Sequence, residues 1–361
     1  MSGSHARARR PSLSRRSKIL AASAIAVLVG GGTLGYFAVF PQKAPAFVRS
    51  AMATVGIDLE EGADPTPPMP TCPLSGEGAR GGVPNRPALA VKVENLPEAR
   101  PQAGLQSADI VYEEPVEGGI TRFIAVFQCR DVDRVGPVRS ARTADPDVLS
   151  QFGVPVLAYS GGAPNVMRVV QAADLVPIDE TAGADAFIRD VSRVSPHNLY
   201  TGTGAIYRVA KAGKQVPTPV FAFADELTAR ARRVSSIHLP FSPTYSDVYW
   251  TWNRRAAEWR RAHGAEPHLD ESGEAISATN VVVQIVSAVI PAGGITPQLD
   301  LTGSGRAYVF RDGRMIVGRW ERSSLHDVTT FVAKDGREIE LAPGRTWVEL
   351  FPSHLVVETS R

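Results

Sequence analysis

The stretch GPVRSAR, Gly136 to Arg142, places Arg139 and Arg142 three residues apart, around a serine and behind a Gly-Pro pair. A planar guanidinium can grip a carboxylate or phosphate with two parallel hydrogen bonds, which an ammonium cannot do. Three more polar clusters lie close by. YEEPVEGGITR gathers Glu113, Glu114 and Glu117 ahead of Arg122. YSGGAPN sets Ser160 and Asn165 about a Gly-Gly pair at an expected helix start, where free backbone N–H groups favour anions. SPHNLYT carries His197, the sole histidine between positions 6 and 237 and so the general-base candidate of the first half.

Several chemistries fit these residues. Glu117, Arg122, Arg139, Arg142, Ser160, Asn165 and His197 could bound a partly open pocket for a carboxylate or phosphate. The same arginines could instead be neutralised by Glu113 and Glu117 and merely pin a loop. A hydrolase or transferase would use Glu113, Glu117 or His197 as acid and base, with the arginines stabilising an oxyanion. No G-x-S-x-G, H-E-x-x-H or Walker pattern supplies a nucleophile, a metal centre or a phosphate loop. Whether the protein is an enzyme therefore stays open, and a binding role needs fewer parts. His268, Asp270 and Glu271 are metal-ligand types at a spacing that matches no common zinc pattern, so no metal and no cofactor is expected. Trp250, Trp252 and Trp259 read as core or sheet-face packing.

To bring the clusters together, the chain must place them at strand ends and helix starts. ALAVKVEN, ADIVYEE and GITRFIAVFQC read as strands. ADPDVLSQFG reads as a short helix with Asp145 as N-cap, Pro146 as its first residue and Gly153 as its stop. VPVLAYSGG followed by APNVMRVVQAA is strand, Gly-Gly, helix, and TGAIYRVAKAGK is another helix. The expected fold is an α/β (α+β) domain over 87–215, a connector over 216–234 and a mostly antiparallel β domain, or an extension of the same sheet, over 235–361. In that second part Asp312-Gly313 and Asp335-Gly336 each sit between alternating runs, as in hairpins, and TWVELF closes the chain.

The N-terminus sets the compartment. Residues 19–40 are 22 uncharged residues behind six basic residues in the first eighteen. That length spans a bilayer core of ~30 Å at ~1.5 Å per residue. The expectation is a cytoplasmic basic segment (1–18), a single transmembrane anchor (19–40), a Pro-rich tether (41–86) and exported domains. An Ala-Pro-Ala pattern within Lys43 to Phe47 leaves a cleaved signal as the alternative. In an oxidising compartment the two cysteines, Cys72 and Cys129, are expected to pair. The other residues hold 33 basic against 37 acidic groups (39 − 6 basic). That balance excludes nucleic acid as the main partner and leaves the membrane, peptidoglycan or an envelope protein. The oligomeric state is not legible.

The strings RPALAVKVEN, ARPQAGLQSADIVYEEPVEGGITRF, VGPVRSAR, PHNLY and GSGRAYVFRDGRMIVGRW occur in that order. Together they resemble the YerB-like bacterial lipoprotein family. The resemblance covers about residues 85–352 and implies an extracytoplasmic, membrane-attached bacterial protein. It transfers no catalytic residue. Typical members resemble lipoproteins with an acylated cysteine, whereas here the uncharged 19–40 segment is expected to take that place.

Overall fold

Strands β1 (Leu89–Glu94), β2 (Ile110–Pro115) and β3 (Thr121–Phe127) form where the β-branched runs predict them, with β3 antiparallel to both neighbours. The computed structural model describes residues 69–211 and 213–361. The basic segment, the expected anchor and most of the tether lie outside them. Among the described residues no helix is long and apolar enough to cross a membrane.

Helix α1 (Ala144–Leu149) begins two residues earlier than expected, with Thr143 at the cap position. Asp145 does not cap it because its carboxylate is turned toward the sheet, where Lys92 donates to it at 2.6 Å. Strand β4 (Val156–Ala158) and helix α2 (Pro164–Ala172) follow the expected strand, Gly-Gly, helix pattern, and strand β5 (Val176–Ile178) completes a parallel crossover beside β1. Proline at the first helical position starts α2, since its missing N–H would have been unpaired there anyway. Strands β6 (Phe187–Arg189) and β7 (Leu199–Thr201) make a separate hairpin, followed by α3 (Thr203–Ala210).

The second half is nearly all strand. It contains β8 (Arg232–Arg233), β9 (Ser236–Ser242), β10 (Ser246–Asn253), β11 (Glu258–His263), β12 (Glu266–Pro267) and β13 (Ser277–Ala278). Then come β14 (Asn280–Val289), β15 (Gln298–Asp300), β16 (Gly303–Arg311), β17 (Arg314–Arg322), β18 (Thr330–Ala333), β19 (Thr346–Pro352) and β20 (Glu358–Ser360). One sheet runs β18-β17-β16-β14-β19-β2-β3-β1-β4-β5, with β15 on β14 and β8 on β17. Its joint is β19, the TWVELF segment, which lies parallel to β14 on one side and β2 on the other. Strands of both halves thus share this sheet. A second sheet, β12-β11-β10-β9-β20 with β13 on β11, covers one face. Helices α1 and α2 cover the opposite face through Val148, Leu149, Val166 and Val170. Trp250, Trp259 and Trp347 are buried between the sheets.

One local expectation is refined and one is corrected. Asp312-Gly313 turns β16 into β17 with both residues at positive φ (53° and 65°), as a two-residue hairpin requires. Asp335-Gly336 also reverses the chain, but over a longer turn and only briefly: the Ala333 N–H donates to the Arg337 carbonyl (2.8 Å), the Ile339 N–H to the Phe331 carbonyl (2.7 Å), and one bridge forms, Val332 to Glu338. The chain then leaves to pair with the segment at Phe223. The correction concerns the end of the tether. Residues 69–86 are not a free spacer there: Leu74 and Ser75 are buried, and Cys72 is bonded to Cys129.

The second sheet carries a pH-sensitive clasp. His238 of β9 bonds Asp247 of β10 through Nε2 (2.6 Å) and Glu358 of β20 through Nδ1 (2.9 Å). Its ring stacks on Tyr249 at 4.2 Å. Burial alone would lower its pKa, but the two carboxylates outweigh burial and raise it. The folded state therefore binds the proton more tightly than the unfolded chain. The resulting stability is present in full below about pH 6.5, the unfolded value, and is lost as pH rises through the folded value. Between pH 6 and pH 9 the wild-type melting temperature should fall more than that of His238→Gln. Parallel curves would remove the clasp from the account.

Candidate functional site

Alternation along the strands builds the site. Ala90, Lys92 and Glu94 of β1 share a face with Ile110, Tyr112 and Glu114 of β2 and with Arg122, Ile124 and Val126 of β3. That face is apolar at one end and ionic at the other. Lys92, fully buried, donates to Glu114 and to Asp145. Asp145 also accepts the Arg142 backbone N–H at 2.8 Å, which fixes the start of α1 to the loop before it. Burial pushes the Glu114 carboxyl up, and Asp145 adds to that against the pull of Lys92. Four bases (Lys92, Arg122, Arg139, Arg142) meet four acids (Glu94, Glu114, Glu117, Asp145) here.

The GPVRSAR loop is locked by its backbone. Gly136 has φ +151°, and a Cβ there would come within 2.7 Å of the Leu199 carbonyl, so this position admits only glycine without rearrangement. The Glu94 N–H donates to the Pro137 carbonyl (3.0 Å) and the Arg139 N–H to the Lys92 carbonyl (2.9 Å). On the other side the Ser160 N–H donates to the Arg139 carbonyl and the Ala141 N–H to the Gly161 carbonyl, both at 3.0 Å. The two arginines then part company.

Arg142 is consumed by the protein. It donates from Nε to Glu117 at 2.8 Å, from Nη2 to the other Glu117 oxygen, and from Nη1 to the Ala141 carbonyl at 2.8 Å. Arg122 supports it, donating to the Ser140 carbonyl (2.9 Å) and to Glu117 (3.5 Å). Burial alone would raise the Glu117 carboxyl, but the Arg142 hydrogen bonds and the nearby guanidinium charges hold it down to about 2. A carboxyl ionised at every physiological pH is a poor general acid or base.

Arg139 is used only in part. Its Nε donates to Glu94 Oε1 at 3.0 Å, and the other oxygen of Glu94 meets His197 Nδ1 at 2.9 Å. The Glu94 side chain is 1% exposed, while those of Arg139 and His197 are 24% and 18% exposed. Among the described residues none bonds the terminal amino groups of Arg139 or His197 Nε2. One buried carboxylate thus orients two side chains whose outer ends remain available.

The remaining expected residues divide. Asn165 is exposed and lines an open cleft of 630 Å³ with Glu117, Ser140, Arg142 and the 291–298 loop. Ser160 joins the loop through its backbone, but its hydroxyl donates to Glu180 at 3.3 Å and not to His197. Glu113 does not join the cluster at all. It neighbours Glu114 on a strand, so it points to the opposite face. There, fully buried, it accepts Arg261 at 2.6 Å and the Thr121 hydroxyl at 2.6 Å. Arg261 also donates to His263 Nε2 (2.7 Å) and His268 Nδ1 (2.9 Å), which leaves His268 Nε2–H to donate to Gln102 at 2.8 Å. Burial and the Arg261 charge hold both histidines far below their usual pKa, hence neutral. Glu349, directly across from Glu113, is raised well above the usual range by burial and by that neighbour. Glu271, from the set first weighed as metal ligands, pairs with Arg134. Among the described residues no three or more His, Cys, Asp or Glu are grouped to hold a metal.

Sequence reasoning passed over Glu94, Lys92 and Asp145. The available signal was Lys92 and Glu94 two apart in an otherwise apolar strand, on one face and therefore in need of partners.

Two family models match the chain: the N-terminal domain of a protein of unknown function (DUF3048) over residues 74–216, and its C-terminal domain over 237–348. A Bacillus subtilis (strain 168) protein titled "Putative lipoprotein YerB" is 30% identical over 289 residues, covering 78% of this chain and 86% of that one. The crystal structure of YerB protein from Bacillus subtilis matches with a TM-score of 0.72 and 26% identity, over 81% of this chain and all of that one.

Proposed function

Because the chain belongs to the DUF3048 family, we propose that it is a membrane-attached extracytoplasmic protein of the cell envelope that binds an anionic ligand, or a partner protein presenting one, at Arg139 and His197. Its relative's lipoprotein title and the uncharged 19–40 segment support the location. The binding reading rests on one observation: Glu94 is buried and holds the inner nitrogens of both side chains, and among the described residues none bonds their outer atoms. Arg139 then offers two parallel donors to an oxyanion. With Nδ1–H given to Glu94, the His197 tautomer that results presents Nε2 toward a hydroxyl beside that oxyanion. Crystals soaked with phosphate and with peptidoglycan fragments should show density on Arg139 Nη1 and Nη2. Density only elsewhere would refute the assignment.

The same Glu94–His197 pair favours a second reading, in which Nε2 acts as general base for an envelope hydrolase or transferase. The Ser160 hydroxyl is bonded to Glu180 and not to the base, so this reading takes water as the nucleophile. Turnover of peptidoglycan fragments that is lost in His197→Gln would establish that reading, and bound but unaltered fragments would exclude it.

A further inference from the structure

A second site lies at the far edge of the long sheet, around the β16–β17 turn. A cleft of 520 Å³ is lined by Arg233, Arg254, Arg314, Trp252, Asp312 and Gly313, among others. It shares no lining residue with the cleft at Glu117. Three exposed arginines converge on it from three different strands or turns: Arg233 from β8, Arg314 from β17 and Arg254 from the turn after β10. Arg361 lines it too, and the charge balance is counted without it.

The arrangement is electrostatically unresolved. Arg233 and Arg314 stand directly opposite each other in the β8–β17 ladder. Like charges in that position destabilise a pair of strands. Nothing nearby relieves them: the cleft's one acidic side chain, Asp312, is already bonded to the buried Arg311 at 2.8 Å. Among the described residues, no carboxylate pairs with Arg233, Arg254 or Arg314. The wall between them is built. The Trp252 indole packs on Gly313 so closely that a Cβ there would come within 2.6 Å of Trp252 Nε1. The Val234 N–H donates to the Gly313 carbonyl at 3.0 Å and the Trp252 N–H to the Ser235 carbonyl at 2.9 Å, tying β8, β10 and the turn together.

We propose that this cleft binds a linear polyanion of the envelope, through clustered phosphate or carboxylate groups spaced along a flexible chain. Three guanidinium forks at separate backbone positions suit several oxyanions better than one. The half-buried Trp252 gives the connecting chain an apolar surface to lie on. A bound oxyanion between Arg233 and Arg314 would convert their repulsion into two attractions.

The test uses the full chain in detergent, titrated calorimetrically at physiological salt with inorganic triphosphate, with polygalacturonate and with phosphatidylglycerol vesicles. Binding of triphosphate or polygalacturonate supports the site, and which of them binds more tightly tells phosphate from carboxylate. The triple variant Arg233→Gln, Arg254→Gln, Arg314→Gln should weaken that binding at least tenfold, and by the same factor when Arg139→Lys is also present, which separates this cleft from the site at Arg139. Without ligand, Arg314→Gln alone should match or exceed the wild-type melting temperature, because it removes a repulsion. Equal binding by wild type and triple variant would overturn the proposal, as would binding confined to vesicles, which would mark a membrane-surface contact. A marked drop in melting temperature for ligand-free Arg314→Gln would also overturn it, since the arginine would then be a structural prop.

Discussion

Replacing Arg261 by methionine should cost about 3–5 kcal/mol of folding stability, as expected when one partner of a buried ion pair is removed. Arg261 and Glu113 are both fully buried, and three aromatic rings, Phe123, Trp250 and Trp347, enclose the guanidinium at 5.3–6.0 Å. Without it, Glu113 would lose its bonded cation while facing Glu349, whose carboxyl burial and that neighbour push well above the usual range. A buried carboxylate stripped of its partner favours the neutral form, so the loss should grow with pH. The double variant Arg261→Met, Glu113→Gln should recover most of it, because a paired buried charge can often be replaced by neutral groups at little cost. Urea denaturation of the three variants at pH 6 and pH 8 measures this. A single-variant loss below about 1 kcal/mol would show that the network is not what joins the two sheets.

The second large effect belongs to the disulfide. Cys72 and Cys129 are 57 residues apart in sequence, with their Cα atoms 5.9 Å apart. Closing a loop of that length stabilises by about 4 kcal/mol in the chain-entropy model. The bond also sets Leu74 and Ser75 into the core, where the Gly344 N–H donates to the Ser75 carbonyl at 2.8 Å. Cys72→Ser with Cys129→Ser should lower stability by that order, and reductant should do the same to wild type. Two free thiols in the exported protein, or a double variant as stable as wild type, would contradict the pairing.

Strand runs, the β4–α2 unit and the Asp312-Gly313 hairpin were legible because each is set by local pattern. The place of β19 was not. TWVELF reads as a strand, but nothing local tells it to enter between β2 and β14, more than 150 residues from β2 in sequence. Glu113 was misplaced for a related reason. YEEP supplies two carboxylates, and only the two-residue period of a strand sends them to opposite faces, one to Lys92 and the other to Arg261. GPVRSAR raised a choice between clamp and knot: Arg142 is bound up with Glu117 as a knot, and Arg139 is the one proposed as a clamp. Which does which depends on Glu94, whose importance appears only when β1 is paired with β3.

Central to this account is the division of labour between Arg139 and Arg142. The direct measurement is binding of a soluble peptidoglycan fragment and melting temperature, taken together on Arg139→Lys and Arg142→Lys. Arg139→Lys should weaken binding by about tenfold, or 1.4 kcal/mol, with the melting temperature unchanged, since the fork is lost and the charge kept. Arg142→Lys should lower the melting temperature, because a single ammonium cannot span both oxygens of Glu117 and the Ala141 carbonyl. If Arg139→Lys unfolds the protein or binds as tightly as wild type, Arg139 is a second knot and the proposed site does not exist.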